Sequence, residues 1–101
     1  MDLQYFYDKI IDELDGAEEY IKNALEIKAM EETWGKRFYE MAQMELEHAT
    51  TLFKLSNELY AKTAKAFAEP PKYMNDIHHN INECYTDKYA KVKMLLEAYN
   101  K

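Results

Sequence analysis

The sequence is short of the residues that interrupt regular structure and of those that cross-link it. Its 101 residues include two glycines and two prolines, and the prolines are adjacent. So few breakers argue against a turn-rich β-sandwich and for long helices. The single cysteine, Cys84, has no partner in the chain, so no disulfide-bridged secreted scaffold is encoded and a reducing compartment is expected. Basic residues are outnumbered, 13 against 19 acidic ones for a net charge of -6, and they never gather into a run. Neither nucleic acid nor an anionic membrane is therefore an expected partner. No apolar run approaches the roughly 20 residues that span a bilayer. The opening MDLQYFYDKIIDELD puts acids where a secretory leader needs a basic region and then an unbroken apolar one. The expected setting is the cytoplasm, free or within a protein compartment. Glycine-rich phosphate loops and a nucleophile elbow are also missing.

What is present is helical periodicity. The length suits one domain, residues 1–101, with no room for a second core. From Leu3 onward, Tyr7, Ile11, Leu14, Ile21 and Leu25 recur at three-and-four spacing, which predicts a first helix over about 2–30 with Asp2 as its cap. A second stripe, Phe38, Met41, Glu45, His48, Leu52, Leu55 and Leu59, predicts a helix over about 34–68, stopped by Pro70 and Pro71. The third, over about 73–100, shows Met74, Ile77, Ile81, Val92, Leu95 and Tyr99. The break between the first two helices has no proline. It is inferred from the lapse of the stripe at Glu31, Glu32 and Gly35, with Thr33 as the cap of the second helix. The expected fold is all-α: an antiparallel helical hairpin plus a third long helix.

Three charged residues lie on the apolar stripes instead of opposite them. Glu18 falls in phase with Leu14 and Ile21, whereas its neighbour Glu19 falls on the solvated face. Glu45 and His48 sit between Met41 and Leu52, while Glu47 points outward with Glu40 and Lys54. An unpaired carboxylate on an inner face is costly, and no lysine or arginine shares these stripes. A glutamate and a histidine three apart project side by side and can ligate one metal ion. A hairpin turning near Glu31 and Glu32 brings Glu18 level with Glu45, making Glu18, Glu45 and His48 the candidate ligands. The plainer alternative is a histidine hydrogen-bonded to its neighbour within a core. For Cys84 a buried thiol is the reading, and for Asp76 and His79, in phase with Glu83 and Asp87, a solvated surface.

The segments GAEEYIKNALEIK and FYEMAQMELEHA resemble the first helix pair of the ferritin-like superfamily, in particular rubrerythrin-type and encapsulated ferritin-like proteins. That superfamily carries a lone Glu on each of two helices and Glu-x-x-His on each of two others. Carried over residue by residue, the resemblance makes Glu18 the lone carboxylate and Glu45 with His48 the paired ligands, over residues 5–60. The third helix has no second Glu-x-x-His, so one chain holds half a di-metal site. The resemblance then implies a ferritin-like four-helix bundle completed by dimerisation, with a di-iron centre drawn from two subunits. Small ferritin-like proteins encoded in phage and prophage regions have a similar layout. A homodimer or higher homo-oligomer, an encapsulating shell and a phage particle are the partners this implies. The mixed oxygen and nitrogen donors suit Fe, with Mn or Zn as alternatives, and imply ferroxidase or peroxide-consuming chemistry. The competing reading is a non-catalytic helical oligomerisation protein whose Glu and His are packing devices.

Overall fold

A computed structural model describes all of residues 1–101 as three helices and no strands: α1 (Leu3–Ile27), α2 (Glu32–Lys65) and α3 (Lys72–Tyr99). Asp2 caps α1 as expected, its carboxylate accepting from the Tyr5 N–H at 2.9 Å. Thr33 is not a cap. Glu31 is the N-cap of α2 without a side-chain bond, and Thr33 already lies in the first helical turn. The helix instead starts on backbone bonds that close the turn, Glu31 N–H to the Ile27 carbonyl at 2.8 Å and Gly35 N–H to the Glu31 carbonyl at 3.0 Å. Pro71 opens α3, where its fixed φ and missing N–H cost nothing.

The hairpin is held by two heptads of mostly small residues. Leu3, Ile10, Ala17 and Ala24 on α1 are all buried, as are Gly35, Ala42, Ala49 and Ser56 on α2. Residues seven apart return to one face, so each set makes a continuous stripe. The small side chains let the backbones approach closely. A Cβ at Gly35 would lie 3.2 Å from the Lys28 Cα and 3.5 Å from the Ala24 carbonyl oxygen, so this position needs glycine for proximity. The Ala24 contact sets the register, which brings Ala17 level with Ala42 and Ile10 level with Ala49.

α3 packs mainly on α1 and covers one side of the hairpin. Lys88 reaches Asp15 at 2.7 Å and Lys91 reaches Glu18 at 3.3 Å. Against α2 it stacks Tyr85 on Phe53, with centroids 4.0 Å apart and planes 3° apart, and the Tyr85 hydroxyl meets Thr50 Oγ1 at 2.9 Å. His78 lies flat on Tyr60 and hydrogen-bonds the Asn57 side chain at 2.9 Å. The last turn is tied down by Lys28, whose ammonium donates to the Tyr99 carbonyl and sits 4.6 Å from the centre of its ring.

The other side of the hairpin is left open. The molecule measures 58 × 19 × 16 Å with a radius of gyration of 16.3 Å, against about 13 Å for a compact domain of this length. Only 16 of 101 residues are buried. Trp34, Met41 and Leu55 form an exposed line along α2, continued by half-buried Phe38 and Leu52. No helix is long and apolar enough to cross a membrane.

Candidate metal centre

The open face carries an acid–histidine cluster at its middle. One ligand atom from each of Glu13, Glu45 and His48 falls within 4.8 Å of the others. Glu45 and His48 project side by side from α2, three residues apart, and Glu13 meets them from α1. His48 Nδ1 stands 3.5 Å from Glu13 Oε2, with the imidazole 57% exposed and the Glu13 side chain 26% exposed.

The structure brings two of the three residues singled out from the sequence together and puts Glu18 elsewhere. Glu18 is bound by Lys22 at 2.6 Å and by Lys91 of α3 at 3.3 Å. The Lys22 bond is the larger of the causes that hold its carboxyl below the usual carboxylate range, with Lys91 adding to it against a desolvation cost. It faces α3, and Glu13 occupies the position across from Glu45.

Two features of the hairpin account for the exchange. The turn spans Lys28 to Glu31, earlier than the Glu31–Glu32 midpoint expected, and counting outward from it brings Glu45 level with Leu14. Glu18 is then one helical turn, roughly 6 Å, nearer the hairpin end. The buried residues of α1 include Leu14 and Ile21 of the expected stripe, but also Phe6, Ile10, Ala17 and Ala24, while Tyr7, Ile11 and Leu25 are only half-buried. The line of closest approach between α1 and α2 is marked by alanines and not by large apolar residues. From the line of Ala17 and Ala24, Glu13 lies about 40° around the helix and Glu18 about 100° around it on the other side, toward Lys91 of α3.

The electrostatics of the cluster are those of two carboxylates that lack a cation. No lysine or arginine pairs with Glu13 or Glu45. The Glu45 carboxyl is pushed up to about 7. The largest cause is a hydrogen bond with Glu13, which needs a shared proton. Desolvation and the Glu13 charge add to it, and His48 works in the opposite direction. With both carboxylates ionised, Glu13 Oε2 is buried with no hydrogen-bond partner, and a proton taken up by Glu45 is what the two acids would share. A buried carboxylate oxygen in that condition costs free energy that a proton or a metal ion would recover.

Gly16 lies three residues beyond Glu13, where the Glu45 side chain crosses α1. A glycine inside a helix costs about 1 kcal/mol relative to alanine, so its presence in the middle of α1 calls for a local reason. Tyr20, stacked on Phe38 with centroids 6.3 Å apart, continues the apolar face toward the turn.

Comparison with protein-family models, with curated proteins and with solved structures gave no match. The ferritin-like resemblance therefore rests on the residues themselves.

Proposed function

We propose that the chain binds a transition metal, iron first, through Glu13, Glu45 and His48, as half of a dinuclear centre that a second copy of the chain completes. The observation that carries this reading is the unpartnered, buried Glu13 Oε2 facing a Glu45 carboxyl raised to about 7, with an imidazole beside them. Two carboxylate oxygens and one imidazole nitrogen fit Fe(II) or Mn(II), and Zn(II) less selectively. Three ligands leave coordination positions open.

The position of the cluster supports the dimer. It is central on a face whose apolar residues, Trp34, Met41 and Leu55 among them, stay exposed, while α3 covers the opposite side of the hairpin. A two-fold axis near Glu45 would bury that line against its own copy and gather four carboxylates and two histidines, the donor set of ferritin-like bundles. In this arrangement Glu13 and Glu45 supply negative charge that favours the ferric state, and His48 supplies a neutral donor. Iron held by these residues would supply electrons for the reduction of dioxygen or peroxide, which is ferroxidase-type chemistry.

A second reading is supported by the same exposed line: a helical oligomerisation protein without metal. Anaerobic Fe(II) loading of chelated protein, followed by elemental analysis, separates the two. The metal reading expects about one iron per chain in the wild type, two per dimer. It expects background levels in Glu13→Ala and Glu45→Ala, and retention in Glu18→Ala. Absence of iron from the wild type, or equal iron in Glu45→Ala, sinks it.

A further inference from the structure

Gly16 has no backbone reason to be glycine. Its φ is negative, as at every residue of the chain, and it lies inside a regular helix. Close approach of the helix backbones does not require it either. The three atoms nearest to where its Cβ would stand all belong to one side chain: Glu45 Oε2 at 3.4 Å, Cδ at 3.6 Å and Cγ at 3.9 Å. Gly35 provides the contrast, because there the nearest atoms are the Lys28 Cα, the Tyr99 hydroxyl and the Ala24 carbonyl. The space that Gly16 leaves open thus lies beside one carboxylate of the cluster.

We propose that Gly16 is a positioning residue, a clearance on α1 that lets the Glu45 carboxylate turn from Glu13 onto a bound divalent cation. This rests on the metal-binding reading above. In the metal-free chain a Cβ at residue 16 makes ordinary van der Waals contact with Glu45, so alanine fits and the helix gains from it. Ligation demands a different arrangement. Carboxylates that ligate one ion must each direct a lone pair at it, at about 2.0–2.2 Å in the case of zinc. A methyl group at residue 16 takes turning room from Glu45, its nearest neighbour there.

The two effects have opposite signs, which makes them separable from a merely structural role. Gly16→Ala is expected to raise the melting temperature of chelated protein. It is also expected to weaken Mn(II) binding, read by titration calorimetry, by about tenfold or more, the scale on which residues that orient ligands act. Glu19→Ala, on the exposed side of α1, serves as the control and keeps wild-type affinity. Unchanged Mn(II) affinity in Gly16→Ala beside a binding wild type overturns this inference alone. A lowered melting temperature also overturns it, because the clearance would then serve packing. A wild type that binds no Mn(II) or Fe(II) overturns the metal reading and this inference with it.

Discussion

Replacing Glu45 by glutamine tests the electrostatics of the cluster without any metal. The Glu45 carboxyl stands at about 7 in the folded chain against an ordinary 4.5, first because it shares a proton with Glu13 and then because it is desolvated. A raised carboxyl holds its proton over an interval in which the unfolded chain has lost it, so the folded state binds more protons there. The stabilisation is fully present below about pH 4.5 and is lost as the pH rises through about 7. At about 1.36 kcal/mol for each pH unit between those values, the ceiling is roughly 3 kcal/mol. Solvent reaches this open face, which lowers the expected figure to roughly 1–2 kcal/mol. Glutamine stays neutral and can donate its amide N–H to Glu13 as the protonated acid does. Metal-free Glu45→Gln should therefore keep its stability between pH 5 and 8 while the wild type declines. At pH 8 it should melt higher by roughly 4–16 °C. The assay is thermal unfolding followed by circular dichroism, with chelator present and the chain concentration fixed. Parallel pH profiles for the two proteins would refute the shared-proton account.

Other consequences are equally direct. Ala49→Leu places a large side chain in the buried small-residue stripe and should cost about 1–3 kcal/mol in urea unfolding; a neutral result would mean the helices are not in close contact there. Leu55→Glu and Met41→Glu put charge on the exposed line of α2, so if the proposed dimer forms through it, light scattering should report a dimer for the wild type and a monomer for each variant, with Trp34 emission shifted to the red. Lys28→Ala removes the donor to the Tyr99 carbonyl and the cation over its ring. Hydrogen exchange should then quicken in the last turn of α3 and remain unchanged in the middle of α1.

Much of the helical layout was legible because it depends on local chemistry. Asp2 before an amphipathic run and Pro70–Pro71 after one are signals that a short window contains, and both elements end within a few residues of the expected places. The start of α2 was harder. Thr33 has the side chain of a cap, yet the turn closes through backbone bonds from Ile27 and Glu31, which no residue type announces. The pairing of Glu45 with His48 was legible for the same local reason, since a spacing of three on a helix puts them together whatever surrounds them.

Their third companion was a question of register. Whether Glu13 or Glu18 faces Glu45 depends on where the turn is centred and which stripe of α1 meets α2. A shift of two residues in the turn moves the facing position by about one helical turn. The large apolar residues Tyr7, Ile11, Leu14, Ile21 and Leu25 suggested one stripe; Leu14 and Ile21 are buried, but the seam also runs along Ile10, Ala17 and Ala24, while Tyr7, Ile11 and Leu25 stay half-buried. The sequence by itself determined the three helices, the open acid and histidine on α2 and the lack of a second such pair. The tertiary structure decided that Glu18 is held by Lys22 and Lys91 and that Glu13 completes the cluster. The reason is that close packing is selected by small side chains and a third helix together, and both act between segments far apart in the chain.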